Sequence, residues 1–469
     1  MSLPVTAGRK VVVVGGGVTG LTTGYRIAAD HPGIDVTVLE AAVRPGGYLQ
    51  TGSLNDPALS GLAIDTSADA FLARVPWARD LCVEMGLGDK LVSPSARQAS
   101  LWLNGALWPI PSPNVLGIPL DPNSVPPGLL SPEDQVRLSG NGVADRPLDP
   151  NADASVGAVV RACVGDKVFE SFVDPLLGGI NAGRADDLSC ATMAPQLLAP
   201  ARSTDGLLAG LRQTLAATDP TAPVFQTPVG GMEQLVQALA AALGDRLQTN
   251  RPVTGLTRSH RSNNLPCWLV HTPTGVERAD VVILTVPAHV GAPLVQPHCR
   301  KASDLMASWR HASVVLTTMA YNRSDLEVAT DQSGFLVGRA EGLLITACSF
   351  TSSKWAHLYH PDRTLLRVSC GRIDDERAIN LSDKRLVTQI RADLAATIGV
   401  EAPPTAIRVG RFPDSLMQFP VGHADQITDL DNLLAVEAPG LLATGTFRSG
   451  VGIPACVRSG TEAAAVVAG

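Results

Sequence analysis

The sequence has no motif typical of a metal site or of a disulfide framework. Its eight cysteines are scattered along 469 residues, and none belongs to a C-x-x-C pair. Scattered thiols are typical of buried cysteines in a reducing compartment and provide no ligand set for zinc. His357 and His360 stand three residues apart without an acid or thiol at ligand spacing, so we expect them to be surface or packing residues. We predict no metal.

Other absences narrow the class of protein. The formal net charge is −7 with both signs interspersed, which provides no basic field for nucleic acid or an anionic membrane. Apolar runs are broken well short of a membrane-spanning length, and the first residues lack the basic-then-apolar pattern of a signal peptide. We therefore expect a cytoplasmic protein. The chain is long enough for two or three domains and a deep pocket.

A dinucleotide-binding pattern begins at residue 10. Residues 10–14, four of them valine, are predicted to form a buried parallel strand, and residues 21–29 are compatible with a helix. Between them Gly15, Gly17 and Gly20 have the G-x-G-x-x-G spacing. Gly15 permits a sharp turn, Gly17 removes a Cβ that would face a pyrophosphate, and Gly20 lets the helix pack on the sheet.

An acidic residue follows at the spacing expected for this motif. Residues 36–39 are predicted as a second strand that leads into Glu40, about 20 residues after Gly20. The Glu40 carboxylate is placed to accept hydrogen bonds from ribose hydroxyls and would repel a 2′-phosphate. The alternative is a glycine-rich turn of another α/β protein, in which Glu40 is a coincidence.

The next segment indicates which dinucleotide is bound. Arg44, Gly46 and Gly47 follow Glu40 closely. The glycine pair lets the loop fold back over the dinucleotide, and Arg44 can donate to phosphate or ribose oxygens. An ordinary surface turn is the alternative, but this doublet after Glu40 is typical of flavoproteins that bind extended FAD. We predict FAD as the cofactor.

The remaining chain divides by composition. Residues 107–153 are rich in proline, which predicts loops and short helices, whereas residues 155–177 have helical periodicity with Ser155 as a cap. We expect an α/β fold: a Rossmann-like FAD-binding domain, a discontinuous α+β substrate domain with a mixed sheet, and a helical, proline-rich insertion. The predicted segments are 1–85, 222–300 and 415–469 for FAD, 86–106 and 301–414 for substrate, and 107–221 for the insertion.

Three later segments resemble a known family. Residues 175–183 read P-L-L-G-G-I-N-A-G and precede L-S at 188–189, residues 352–355 read S-S-K-W, and residues 450–460 read G-V-G-I-P-A-C-V-R-S-G. They resemble signature runs of the protoporphyrinogen/coproporphyrinogen oxidases, within the FAD-dependent amine oxidase superfamily. Asn181 stands where the family has an aromatic residue, and Ala455 where it has an acid. The signal-free chain resembles the Gram-positive branch, which acts on coproporphyrinogen III.

The resemblance implies a six-electron oxidation of a porphyrinogen to a porphyrin in heme biosynthesis. O₂ is the acceptor and H₂O₂ is released, while the flavin carries the redox chemistry. The backbone carbonyl of Gly179 is the candidate to receive or orient a pyrrole N–H. In the alternative interpretation, Gly178 and Gly179 only let a helix end close to the flavin.

The resemblance also implies positions for the ligands. Candidates for an apolar slot around the macrocycle are Phe335, Leu336 and Ile345, and candidates for the propionates are Arg97, Arg339 and Lys354. The returning strand and helix at residues 440–467 are expected to complete the flavin pocket. The residues predicted to bind FAD are Gly15, Gly16, Gly17, Val18, Thr19, Gly20, Glu40, Ala41, Arg44, Gly46, Gly47, Tyr48, Ser67, Ala68, Asp69, Ala70, Val253, Gly445, Val451, Gly452 and Ile453.

Other functions stay open at this point. Protoporphyrinogen IX is the alternative substrate. A flavin amine oxidase is disfavoured because residues 313–321 carry no lysine of the kind those enzymes place near the flavin. A phytoene-desaturase-like enzyme and a non-catalytic, flavin-bearing porphyrin-binding protein are further alternatives. The proline-rich insertion is a candidate contact for a membrane or another heme-pathway enzyme, and no oligomeric state is predicted.

Overall fold

The computed structural model describes residues 8–146, 148, 149, 151–219, 221–261, 265–329 and 331–468. The ends of the predicted FAD-binding segments, residues 1–7 and 469, lie outside this description. The strands are β1 Lys10–Val14, β2 Asp35–Leu39, β3 Thr51–Gly52, β4 Ile64–Asp65, β5 Phe71–Leu72, β6 Leu91–Val92, β7 Gln98–Leu103, β8 Ala106–Pro109, β9 Asn114–Val115, β10 Ile118–Pro119, β11 Phe225–Pro228, β12 Leu247–Gln248, β13 Gly255–His260, β14 Pro266–Thr272, β15 Gly275–Ala279, β16 Val281–Leu284, β17 His311–Asn322, β18 Gln332–Val337, β19 Ile345–Phe350, β20 Arg363–Cys370, β21 Ala406–Met417 and β22 Leu441–Ala443. The α-helices are α1 Val18–Asp30, α2 Pro76–Glu84, α3 Pro132–Ser139, α4 Val156–Val164, α5 Asp166–Val168, α6 Asp174–Asn181, α7 Cys190–Met193, α8 Leu198–Arg202, α9 Leu207–Ala216, α10 Glu233–Leu243, α11 Ala288–Val295, α12 Arg300–Ser308, α13 Thr351–Lys354, α14 Arg377–Asn380, α15 Asp383–Ile398, α16 His423–Glu437, α17 Thr446–Ser449 and α18 Ile453–Ala468.

A five-stranded parallel sheet in the order β12-β2-β1-β16-β22 contains the valine strand at its centre. Successive side chains of a strand point to opposite faces, so both faces of β1 are apolar. Val11 and Val13 pack with α1, α10 and α18, whereas Val12 and Val14 pack with the β13-β14-β15 meander and α16. The Gly15–Gly20 turn therefore lies at the carboxyl end of a fully covered parallel strand, which is the ligand-binding edge of such sheets.

A second sheet of seven strands has the order β21-β17-β20-β19-β18-β7-β8. Its neighbours pair antiparallel except β18 and β7, which are parallel. One face packs on α15 through Leu386, Ile390 and Leu394. A parallel and a mixed sheet in one α/β chain confirm the predicted fold class.

The helices α3–α9 lie in the segment predicted to be the insertion, and they share one apolar core with Leu101 and Leu103 of β7. Ser155 caps α4 as predicted, since its Oγ accepts from the Ala158 N–H at 3.0 Å. The predicted helix over 155–177 is interrupted at Gly165, whose φ of +91° ends α4 and turns the chain before α5. Among the described helices, none is long and apolar enough to cross a bilayer.

Helix α18 approaches α1 so closely that Gly460 should not tolerate a side chain. A Cβ at Gly460 would stand 2.6 Å from the Thr19 carbonyl oxygen, which belongs to the backbone and cannot rotate away. We expect Gly460→Ala to lower the free energy of unfolding by about 2 kcal/mol, because overpacking outweighs the helix propensity gained by alanine. Urea unfolding measures this difference.

The matched control is Gly33→Ala, at an exposed turn where a Cβ meets no atom within 4 Å. Its stability should stay within about 0.5 kcal/mol of the parent. Equal stability of Gly460→Ala and this control would contradict the close packing of α1 and α18.

Candidate flavin site and its surroundings

The glycine turn after β1 is fixed by its neighbours. Gly15 has a φ of +107°, and its N–H donates to the Leu39 carbonyl at 2.8 Å. The Thr285 hydroxyl, just after β16, donates to the Val14 and Gly15 carbonyls at 2.9 Å each. A Cβ on Gly20 would come within 1.9 Å of the Gly15 oxygen. Only glycine fits at this crossing of strand and helix.

The first turn of α1 fits the pyrophosphate of a dinucleotide. No side chain of the described residues caps this helix, and its first turn contains no acid. A Cβ on Gly17 would meet no atom within 4 Å, whereas one on Gly47 would lie 3.5 Å from the Gly17 Cα. The first N–H groups of α1, near Val18 and Thr19, thus lie beside an open space in front of Gly17, where an anion can approach the positive end of the helix.

Glu40 lies beside this turn. One carboxylate oxygen accepts from the Gly16 N–H at 2.6 Å and the other from the Ala42 N–H at 2.7 Å. The Arg251 N–H donates to the Glu40 carbonyl at 2.8 Å and brings residues 250–253 alongside. A carboxylate held at this edge suits the ribose contact predicted for it.

The loop that contains Arg44 folds back on the glycine turn, because the Gly46 N–H donates to the Gly16 carbonyl at 2.7 Å. Arg44 has a role that its sequence position did not indicate. Its guanidinium donates to the Leu49 and Gly47 carbonyls, each at 3.0 Å, and so stabilises the loop itself. Contact with phosphate or ribose stays a prediction.

Two further segments close the site. The Ser67 hydroxyl donates to the Tyr48 carbonyl at 2.6 Å, which connects the loop of residues 64–70 to the Arg44 loop. The Ser459 hydroxyl of α18 donates to the Gly445 carbonyl at 3.2 Å, and Ile453 begins that helix. The other predicted cofactor residues with exposed or partly exposed surface are Ala41, Asp69, Ala68, Ala70, Val253, Val451 and Gly452.

The residues predicted for the apolar slot lie on opposite faces of the seven-stranded sheet. Phe335 and Ile345 are 2% and 0% exposed and belong to the core under α15, so they have no surface to offer a macrocycle. Leu336 points to the other face because alternate residues of a strand alternate in direction. A Cβ on Gly179 would lie 3.0 Å from the Leu336 Cδ2. Of the three, Leu336 alone is placed beside the candidate catalytic segment.

The three residues predicted to contact the propionates also lie in different surroundings. Arg339 forms ion pairs with Asp174 and Asp374, and one guanidinium nitrogen donates to the Gly183 carbonyl, so its charge is neutralised within the protein. Lys354 pairs with Asp69 instead of facing open solvent. Arg97 is exposed just before β7, and within the described part of the chain it has no ion pair.

Several site residues were not predicted. Gln418 donates from Nε2 to the Asn181 carbonyl at 3.0 Å, while Arg367 and Arg408 reach the backbone at Asp65. Strand alternation could have placed Arg367 and Arg408 on one face of a sheet. Their partners, more than 300 positions away, gave no local signal. In the described ranges we find no cluster of three or more His, Cys, Asp or Glu able to hold a metal ion.

Comparison with known protein families identifies the family to which this chain belongs. Residues 18–468 match the model of the flavin containing amine oxidoreductase family, and the chain belongs to that family. A flavin carried on a dinucleotide is FAD, so the predicted cofactor is confirmed.

Relatives of known name match along the whole chain. The chain is 30% identical to coproporphyrinogen III oxidase of Bacillus subtilis, over 97% of each protein. It is 31% identical to coproporphyrinogen III oxidase of Mycobacterium tuberculosis H37Rv, over 96% of this chain and 95% of that one. A crystal structure from Exiguobacterium sp., provisionally named as protoporphyrinogen oxidase, superposes with a TM-score of 0.87 at 29% identity, over 99% of both chains.

Gly17→Ala should separate cofactor binding from folding. Gly17 has a φ of −70°, which alanine adopts freely, and its Cβ would enter only the space in front of α1. We expect stability of the FAD-free protein to change by less than about 0.5 kcal/mol. The dissociation constant of FAD should rise at least about tenfold, because the methyl group occupies the pyrophosphate position. Flavin fluorescence titration and thermal unfolding of the FAD-free protein measure the two effects, with Gly33→Ala as control. Unchanged FAD affinity would contradict this placement.

Asp65 should make stability depend on pH. Burial raises its pKa to about 6 from 3.8, although Thr51 and the Met232 N–H oppose the shift. The folded protein therefore binds a proton that the unfolded chain has released between these values. The stabilisation of the folded protein by this proton is fully present below about pH 4 and is lost as the pH rises through 6. Above that pH the free energy of unfolding is about 3 kcal/mol lower than it is below pH 4.

The substitution Asp65→Asn gives a side chain of the same size that stays uncharged over this pH range. We expect it to remove this pH dependence and to unfold at higher urea concentration than the parent at pH 8. Urea unfolding from pH 4 to 8 measures it, with the exposed Asp89→Asn as control. Parallel stability profiles for the parent and Asp65→Asn would rule out a raised pKa.

Proposed function

We propose that this protein oxidises coproporphyrinogen III to coproporphyrin III, with O₂ as acceptor and release of H₂O₂. The observation that supports this most strongly is the match, over at least 95% of both chains, to proteins named coproporphyrinogen III oxidase in Bacillus and Mycobacterium. When bound, FAD accepts hydride from the substrate. The protein must then position the macrocycle and provide an acceptor for the pyrrole N–H.

The last turn of α6 offers that acceptor. The final carbonyls of a helix lack intrahelical donors and lie at the negative end of its dipole, so they accept hydrogen bonds from N–H groups well. Gly179 belongs to this turn. The neighbouring Asn181 and Gly183 carbonyls are already bonded to Gln418 and Arg339. We assign the Gly179 carbonyl as the group that orients a pyrrole N–H.

The surroundings of Gly179 support this assignment. Leu336 adds an apolar side chain against it, which suits the face of a tetrapyrrole. Asn181, which departs from the family pattern, is 1% exposed, so its side chain is not part of the surface near Gly179. Arg97 remains our candidate for a propionate because its charge is exposed and unpaired in the described part of the chain. Contact of the insertion with a membrane or another enzyme stays a prediction.

The proposal is tested by turnover in air. We expect the purified yellow protein to convert coproporphyrinogen III into a fluorescent porphyrin, with three molecules of H₂O₂ formed per porphyrin because six electrons leave in pairs. Porphyrin fluorescence and a peroxide assay measure both products, and flavin-free protein corrects for spontaneous oxidation. A flavin spectrum that stays oxidised when substrate is added without air would disprove the proposal.

Protoporphyrinogen IX is a second candidate substrate, favoured by the provisional name of the Exiguobacterium structure. It carries two propionates where coproporphyrinogen III carries four. Parallel measurement of kcat/KM for both substrates decides between them. We expect the higher value for coproporphyrinogen III, and the reverse order would assign the protein to protoporphyrinogen.

A further inference from the structure

Two arginines lie on either side of Thr318, on the face of the seven-stranded sheet opposite α15. Thr318 of β17 is paired with Arg367 of β20 on one side and Arg408 of β21 on the other. Arg367 is 9% exposed and donates to the Asp65 carbonyl at 3.2 Å. Arg408 donates to the Ile64 carbonyl at 2.8 Å and to the Asp65 carbonyl at 3.1 Å. Both side chains thus bind the start of the loop formed by residues 64–70.

Lys354 binds the other end of the same loop. Its Nζ lies 3.8 Å from a carboxylate oxygen of Asp69, and the Trp355 indole N–H donates to that oxygen at 3.4 Å. Both members of the ion pair are mostly buried, with 20% and 25% of their side-chain surfaces exposed. Helix α13, which ends at Lys354, is itself fixed to β20 because the Ser352 hydroxyl accepts from the Leu365 N–H at 2.7 Å.

The positive side chains of Lys354 and Arg367 complement the negative charge of Asp69. Burial by itself would raise the pKa of Asp69, but Lys354 and Arg367 outweigh it and keep that pKa below its ordinary value. The carboxylate is therefore ionised in the folded protein. The cations come from the seven-stranded sheet and α13, whereas the groups they bind belong to the loop that carries Ser67–Ala70, predicted to contact FAD.

A small cavity lies beside Asp65 and Asp69. Its lining includes Thr318, Thr351 and Arg367, and its volume of about 10 Å³ accommodates about one water molecule. The charge of Lys354 is directed to the loop by its ion pair with Asp69, whose carboxylate oxygen lies 3.8 Å from Nζ.

We propose that Lys354, Arg367 and Arg408 hold the loop of residues 64–70 in the shape that binds FAD, and that the Lys354–Asp69 ion pair is the contact on which this shape depends. Lys354 is then a positioning residue for the cofactor loop, in place of the propionate contact predicted from sequence. FAD affinity is measured without substrate, so that readout does not depend on the proposed reaction, whereas the KM readout below rests on it.

Lys354→Met tests the proposal. We expect the dissociation constant of FAD for the FAD-free protein to rise about tenfold, since Asp69 keeps its burial but loses its cation. The KM for coproporphyrinogen III, measured at saturating FAD, should stay within about twofold of the parent. Lys354→Arg should restore FAD affinity, and Lys301→Met, at an exposed position of α12, is the matched control. Unchanged FAD affinity with a raised KM would overturn the proposal and return Lys354 to the substrate.

A double-mutant cycle with Asp69→Asn separates positioning from general destabilisation. If Lys354 acts through Asp69, Lys354→Met should weaken FAD binding by less than about twofold in the Asp69→Asn background, because no buried charge is left unpaired. Equal losses in both backgrounds would overturn the proposed pairing. If Lys354→Met does not fold, Asp69→Asn and Lys354→Arg still decide: Asp69→Asn must weaken FAD binding and Lys354→Arg must preserve it.

Discussion

The backbones of the turn after β1, of α1 and of α18 are in direct contact, and the candidate cofactor site depends on that close packing. Gly20 lies against the Gly15 carbonyl, and Gly460 lies against the Thr19 carbonyl, so neither position has room for a Cβ. The Thr285 hydroxyl bonds the same turn from β16. These contacts leave the first N–H groups of α1 without side-chain caps and facing an open space. A pyrophosphate that binds there meets a backbone that is already in position, so little ordering is needed on binding.

The other walls of the site come from parts of the chain that are distant in sequence. The Arg44 loop is bonded to the glycine turn, and the loop of residues 64–70 is bonded to the Arg44 loop through Ser67. Arg367, Arg408 and Lys354 then connect that second loop to the seven-stranded sheet. The sheet and the helix that follows β19 therefore fix, by an ion pair and carbonyl contacts, the loop that we predict to contact FAD.

The segment that distinguishes this chain from other flavin enzymes is fixed in a similar way. Arg339 and Gln418 occupy the carbonyls on the C-terminal side of Gly179, and Leu336 lies against Gly179 itself. Chemistry carried by a flavin needs no strong acid or base from the protein if the substrate is oriented. The Gly179 carbonyl at a helix end, with an apolar neighbour, is our candidate for that orienting group.

The sequence alone determined the features that depend on residues close together in the chain. The residue spacing predicted Gly15–Gly20 between a strand and a helix and Glu40 at the end of the next strand. The same spacing, together with Arg44 and the glycine pair, predicted FAD as the cofactor. The segments 175–183 and 450–460 indicated the family. Tertiary structure decided the direction and partners of individual side chains: Phe335 and Ile345 face the core, Arg339 faces two aspartates, and Lys354 faces Asp69. The physical reason is that a dinucleotide turn uses the backbone of neighbouring residues, whereas the partner of a charged side chain depends on which distant strands the fold brings together.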